Sequence, residues 1–242
     1  MLRKIIKYSL VSVVVCYIAA ALIIIPGKDE EKLCSGVTVE VNENSDILSR
    51  ADVMSMLKEK DLDPEGMKLK DVKCFEIERY MNSISLIKDC QAYKANNGKI
   101  VLEIDSRKPI LAVIDRNDRQ YCIDSDGAVI EGIPGLLHLP LATGNIVDSM
   151  VTRELKEVAN AIGNDEFWKA QTEQIHFDTK RNIILVPRVG DHIIELGAAD
   201  SIEAKLSNVK SLYMNGLSTV GWNKYIKLNA EYSGRVICTK RE

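Results

Sequence analysis

From Ile5 to Ile25 the chain carries a single charged residue, Lys7, and the run closes on Pro26-Gly27. Its twenty-one residues, at ~1.5 Å rise each, cover roughly 30 Å, the hydrocarbon thickness of a bilayer, so the run reads as one membrane-spanning helix. Arg3, Lys4 and Lys7 mark its start, and the stretch Lys28-Asp-Glu-Glu-Lys32 after it is net acidic. Positive charge stays on the cytoplasmic side, which puts residues 1–4 inside as a short tail and everything beyond the span outside. A cleaved signal peptide would have a shorter apolar run ending in small residues at the cut. Ala19-Ala20-Ala21 is small, but Leu22 to Ile25 carries the run past it. Cys16 follows Val15 in mid-segment and reads as a membrane-buried thiol, not a lipid attachment site.

The residues outside the membrane suffice for two small domains. Hydrophobic residues are 46% and charged residues 28% of the chain, a globular balance, and a formal charge of −3 leaves no basic footprint for nucleic acid. Cys34, Cys74, Cys90, Cys122 and Cys238 lie outside; an odd number cannot all pair within one chain. They read mainly as small buried hydrophobes, with one optional bridge among them.

Val37–Val41 alternates with period two and reads as a strand. Ser49 with Asp52 three residues on forms a helix start, Leu48 can staple against Val53, and Ile47, Ala51, Met54 and Leu57 give the helix an apolar stripe. After the break at Asp63-Pro64-Glu-Gly66, a second helix shows Ile77, Tyr80 or Met81, and Ile84 on one face. Asn96-Asn97-Gly98, between two apolar runs, marks a tight hairpin with positive φ angles. Strand, two helices and a hairpin make a small α+β domain, bordered by Arg107-Lys-Pro109.

Beyond that border Ile110–Ile114, Tyr121–Ile123 and Ala128–Ile130 read as strands, the last two joined by the turn Asp124-Ser-Asp-Gly127. Residues 133–144 read as an irregular crossing loop, and Asp148–Ile162 as a helix with Leu155, Val158, Ala159 and Ile162 inward. Three short strands follow at Gln174–Phe177, Ile183–Val186 and His192–Leu196. Asp200 and Glu203 form a capping box for a helix with Ile202, Leu206, Val209 and Tyr213 inward. A final strand alternates from Leu228 through Ala230, Tyr232, Gly234 and Val236 to Cys238.

No common site for chemistry emerges. His138, His176 and His192 are scattered, with neither a His-Glu-x-x-His nor a Cys-x-x-Cys spacing, and the two in strands read as hydrogen-bonded structural histidines. Gly216-Leu-Ser218-Thr-Val-Gly221 has one residue too many for a nucleophile elbow and lacks the helix that should follow. No Gly-rich phosphate loop is present. The reading is of a non-enzyme with no cofactor, metal or small-molecule substrate.

In this order the features resemble the FtsQ/DivIB family of bacterial division proteins across nearly the whole chain. The specific marks are Arg107-Lys-Pro-Ile110, Tyr121-Cys-Ile-Asp-Ser-Asp-Gly-Ala-Val129, Leu139-Pro-Leu141 with Gly144, Leu196-Gly197 with Lys205-Leu206, and Tyr225-Ile-Lys-Leu228 with Tyr232. Ser106 stands where the family usually has an acidic residue, and the cytoplasmic tail is unusually short. The resemblance implies an α+β architecture: tail 1–4, transmembrane helix 5–25, linker 26–34, a POTRA domain (β-α-α-β-β) at 35–106, and a mixed β domain with an open edge strand at 107–242. It implies a scaffold of the divisome at the septum, in the inner membrane with a periplasmic C-terminus, linking early division proteins to septal peptidoglycan synthesis. Its partners would be FtsB- and FtsL-like bitopic proteins, held by strand addition to the last strand. Ser233, Gly234 and Arg235 would then lie on or beside the pairing edge, with Tyr232 and Lys205 supplying side-chain contacts. A POTRA-bearing secretion or transport component is the alternative, although the C-terminal region lacks the repeated ten-residue amphipathic strands of a membrane barrel.

Overall fold

A computed structural model describes residues 14–15, 17–18, 31–42, 47–133, 139–217, 219, 221–232 and 234–242. The chain divides into two compact units, Met1–Ser106 and Arg107–Glu242. Most of the apolar run at 5–25 lies outside the described residues; Val14, Val15, Tyr17 and Ile18 within it are helical and exposed. Among the described residues no helix is long and apolar enough to cross a membrane.

In the first unit, strand β1 (Val37–Val41) is followed by helix α1 (Arg50–Glu59), which the Ser49–Asp52 capping box starts as anticipated. The Ser49 hydroxyl accepts from Asp52 N–H at 3.2 Å while the Asp52 carboxylate accepts from Ser49 N–H at 2.9 Å. The buried stripe keeps part of the anticipated one, with Leu57 buried and Met54 half-buried against the core, but Leu48 and Val53 face inward while Ala51 is exposed and Ile47 is half-buried. A shift of one position turns a helix by about 100°, and the staple at Leu48, not the run of apolar letters, sets which side is inward. Leu57 is fully buried, so Leu57→Ala should cost about 2–5 kcal/mol in a urea melt. A loss under about 0.5 kcal/mol, the usual range of surface substitutions, would place Leu57 outside the core.

A 3-10 turn (Leu69–Asp71) precedes helix α2 (Cys74–Met81), whose Ile77 and Met81 are buried. Tyr80 is half-buried, and Ile84 lies beyond the helix end. Strands β2 (Ile87–Lys94) and β3 (Ile100–Ser106) form the expected hairpin. Its turn is a wider one than Asn-Gly alone suggests: Gly98 N–H donates to Ala95 O at 3.1 Å, and of the loop residues only Gly98 has a positive φ, +81°. That geometry is a type I turn closed by a left-handed residue. β3 is central, parallel to β1 and antiparallel to β2.

The second unit is built on a nine-stranded mixed sheet. β4 (Leu111–Ile114), β5 (Gln120–Ile123) and β6 (Val129–Ile130) form a meander. Its two turns and a third use one device. Asp115, Asp124 and Asp178 each accept, on one carboxylate oxygen, backbone N–H groups two and four residues ahead, at 2.7–3.0 Å. The third residue after each aspartate, Asp118, Gly127 or Arg181, is left-handed with φ from 62° to 80°. The aspartate thereby satisfies loop amides that would otherwise lack partners.

Residues 133–144 are not wholly irregular. Leu141–Gly144 is a strand, β7, inserted parallel between β4 and the later β8; residues 134–138 lie outside the described residues. Four residues flanked by Pro140 and ending on Gly144 carry too short a pattern to reveal a strand, and the sheet on either side imposes it. The following helix, α3, is α-helical at Asp148–Met150, widens to a π segment at Val151–Leu155, and resumes at Lys156–Gly163. Leu155, Val158, Ala159 and Ile162 point inward as anticipated.

A short helix that the sequence pattern did not reveal, α4 (Glu166–Gln171), is capped by the Asp165 carboxylate and buries Trp168. β8 (Thr172–Phe177), β9 (Ile183–Pro187) and β10 (Ile193–Gly197) match the expected strands to within two residues. Helix α5 (Ile202–Leu212) buries Ile202, Leu206 and Val209, and Tyr213 just beyond it. Its start corrects the expected Asp200 box: the N-cap is Ser201, left-handed with φ +49° and without a side-chain cap bond. Asp200 is engaged elsewhere, on Lys205.

The greatest departure is at the C-terminus. The alternating run 228–238 is not one strand but a hairpin: β11 (Tyr225–Asn229), a turn, and β12 (Ile237–Lys240). β11 runs parallel to β10, and β12 closes the sheet antiparallel to β11, giving the order β12-β11-β10-β9-β8-β7-β4-β5-β6. Asn229 accepts Glu231 N–H at 3.1 Å, and Gly234 takes φ +75°, which turns the chain back despite a parity broken only at Ile237.

Candidate partner-binding edge

β12 is an edge strand at one margin of the nine-stranded sheet, and an unpaired edge is a template for another strand. Ile237 is 48% exposed, Thr239 and Lys240 are exposed, and Cys238 is half-buried. The direction of its amides follows from one bond: Arg241 N–H donates to Lys224 O at 2.9 Å, inward toward β11. Amides along an antiparallel strand alternate sides. Thr239 N–H therefore joins the ladder with β11, while Cys238 and Lys240 turn their N–H and C=O groups to the open edge. The foot of the strand is held by the Arg241 guanidinium, which donates to Asp191 O at 2.8 Å.

The residues expected on this edge are distributed differently. Tyr232, Gly234 and Arg235 occupy the turn before β12; Ser233 lies outside the described residues. Tyr232 is 48% exposed, and the Arg235 guanidinium stacks 5.0 Å from its ring centre. Tyr232 is thus not the inward residue its parity allowed; it stands at the tip beside the edge. Arg235 N–H leans to Tyr232 O at 3.5 Å within the turn and is not on the edge.

Lys205 is a correction of another kind. A contact to an acidic partner requires an accessible ammonium, yet its side chain is 6% exposed and already paired. Its ammonium donates to Asp200 Oδ1 at 2.6 Å and to Ala198 O at 2.9 Å. That hydrogen bond and charge hold the Asp200 carboxyl below the usual carboxylate range. The Asp200 side chain is 72% exposed, so the group this loop offers to solvent is the carboxylate. The loop adjoins the β11–β12 turn: a Cβ on Gly197 would lie 2.7 Å from Glu231 Cγ. Lys205 holds the Asp200 carboxylate and ties down the Ala198 carbonyl, and its own ammonium is covered by both.

The edge strand Ile237–Lys240 coincides with the end of the expected final strand, but none of its residues stands among the expected contacts. The available signal was the Ser233-Gly234 pair, a turn dipeptide read as strand interior.

The histidines are structural where described. His176 Nδ1 lies 3.3 Å from the Thr143 hydroxyl, and buried His192 shares a 2.5 Å hydrogen bond with the Tyr213 hydroxyl. Burial pushes the His192 imidazole below its ordinary range, toward the neutral form. Cys34, Cys74, Cys90, Cys122 and Cys238 are all free thiols. Among the described residues no group of three or more His, Cys, Asp or Glu side chains is placed to hold a metal ion.

Two family models match the chain. One, described as FtsQ/DivIB, C-terminal related, covers residues 108–239 and so contains the meander, β7, α5, the turn and all but the last residue of β12. The other, a POTRA-like domain, covers residues 32–105. No curated protein matches the chain.

Proposed function

Because the chain belongs to the FtsQ/DivIB family, we propose that it is a non-catalytic, single-span scaffold of the bacterial divisome that takes FtsB- and FtsL-like bitopic proteins by strand addition to β12. Domains of this kind make it a cell-division scaffold and a division-site membrane protein, in a family that is generally non-enzymatic. The finer assignment rests on the open edge of β12, where Cys238 and Lys240 present their main-chain groups. Strand addition draws affinity from such groups and specificity from flanking side chains; Ile237 and Tyr232 are the exposed apolar flanks and Asp200 and Arg235 the charged ones.

In this reading residues 1–4 are the cytoplasmic tail, 5–25 the span, 26–34 a linker, 35–106 the POTRA domain and 107–242 the partner-binding domain, with the C-terminus outside the inner membrane. By holding bitopic partners at the septum, the scaffold connects early division proteins to peptidoglycan synthesis. A fluorescent fusion of the full chain should form rings at mid-cell in dividing cells. A uniform envelope distribution throughout the division cycle would overturn the assignment.

A further inference from the structure

Among the described residues the two sheets present four edge strands, β1, β2, β6 and β12. β2 is the longest, with eight residues against five in β1, two in β6 and four in β12. Strand addition draws its affinity from main-chain groups, so on length alone an incoming strand should prefer β2 to β12. A chain that takes a strand at one edge needs a device that refuses it at the other.

The outer side of β2 is already occupied. Ala95 N–H donates to Lys99 O at 2.8 Å, on the side of β3, and amides along an antiparallel strand alternate sides. Cys90 and Ala92 therefore turn their main-chain groups outward. Cys90 N–H donates to Asn82 Oδ1 at 2.9 Å, and Asn82 Nδ2 donates back to Cys90 O at 3.1 Å. Ala92 N–H donates to Glu78 Oε1 at 2.8 Å. The spacings of helix and strand match. Glu78 and Asn82 are four residues apart, about 6 Å along a helix, and Cys90 and Ala92 are two apart, about 6.6 Å along a strand. The end of α2 thus sets one side chain over each outward amide.

Asn82 is exposed and Glu78 half-buried, so water would serve the same main-chain groups at little cost to the fold. What a fixed side chain adds is exclusion: it fills the line of donors and acceptors that a second backbone would need. We propose that Glu78 and Asn82 close the β2 edge to strand addition and are specificity residues of this chain, keeping other strands, those of a second copy included, off its longest edge. In a scaffold that works through β12 this closure steers the partner strand there. That consequence rests on the proposed function; the closure of β2 does not.

The test uses the full chain in detergent micelles, with a thermal melt confirming that each variant folds. In the double variant Glu78→Ala/Asn82→Ala the Cys90 and Ala92 amides should exchange with deuterated water at least about tenfold faster, as the loss of one hydrogen bond each implies. In sedimentation equilibrium the same variant should self-associate at least about tenfold more tightly than the unsubstituted chain. The association should survive Cys238→Pro and Lys240→Pro, whose rings obstruct the β12 edge. Glu78→Gln keeps an acceptor for Ala92 N–H and should sediment like the unsubstituted chain. Should the double variant melt early, Asn82→Ala alone, at an exposed position, carries the same comparison. Unchanged amide exchange overturns the proposal. So does a variant with released amides that associates no more than the unsubstituted chain, and so does an association that vanishes once β12 is obstructed. Capture of the FtsB-like partner is scored separately: its failure overturns the scaffold reading and leaves the closure of β2 standing.

Discussion

Cys238→Pro and Lys240→Pro should each leave the fold intact and weaken capture of an FtsB-like partner by at least about tenfold, or about 1.4 kcal/mol. Both residues point their N–H groups away from β11, an alternation fixed by the inward bond from Arg241 N–H to Lys224 O. Proline there removes a donor the fold does not use, and its ring occupies the space an added strand would fill. Thr239→Pro is the internal contrast. It deletes a bond of the β11–β12 ladder and should destabilise the hairpin as well as the complex. Side-chain truncations such as Thr239→Ala, which keep the amide, should have much smaller effects on capture unless they remove an anchor. Co-purification with the partner, alongside a thermal melt of each variant, separates these outcomes. If Cys238→Pro and Lys240→Pro melt and bind like the unsubstituted chain, β12 is not the docking strand.

Substitutions in the turn carry a different expectation. Gly234 has φ +75°, a conformation closed to proline, so Gly234→Pro would disturb the hairpin itself and could not distinguish lost docking from lost fold. The alternation from Leu228 to Cys238 is genuine in the sequence, but parity records only which side each residue would take if the chain stayed extended. It carries no information on whether the chain does so. The reversal is encoded by a single positive φ and an Asx bond at Asn229, both weak signals beside a run of alternating letters.

Other parts of the architecture were legible because several local preferences agree there. At α1 the cap, the staple and the apolar spacing coincide, and only the rotation of the stripe differs from the one they imply. The strands from β8 to β10 combine β-branched residues with turn residues between them. Legibility fails where tertiary contacts decide. β7 owes its extended form to the two strands it separates, α4 is six residues long, and the π segment of α3 changes helical pitch without changing composition. Lys205 marks another boundary: a lysine on a helix reads as solvated, and only the return of the Ala198–Asp200 loop over it reveals a buried, paired ammonium.

Gly144→Ala should be the most destabilising small substitution in the second unit, costing about 3–5 kcal/mol, at the upper end of single-residue effects. Gly144 ends β7 with φ +102°, a conformation that L side chains rarely adopt. A Cβ there would lie 2.2 Å from Phe177 O and 2.8 Å from His176 Cε1. The carbonyl cannot withdraw freely, because it already accepts Asn145 N–H at 2.8 Å and its residue pairs with Ile183 in β9. Backbone strain of about 1–3 kcal/mol and overpacking of about 1–3 kcal/mol therefore add, with no inexpensive route to relieve either. The position also matters topologically. β7 is the strand through which β4, β5 and β6 join β8 to β12, so displacing its end loosens the seam between the two parts of the sheet. Urea unfolding followed by tryptophan fluorescence should register the loss directly, since Trp168 and Trp222 both belong to this unit. A change below about 1 kcal/mol, within the range of ordinary substitutions, would mean that β7 ends in a looser bend than the one seen and that the close approach of Gly144 to Phe177 is not what holds the seam.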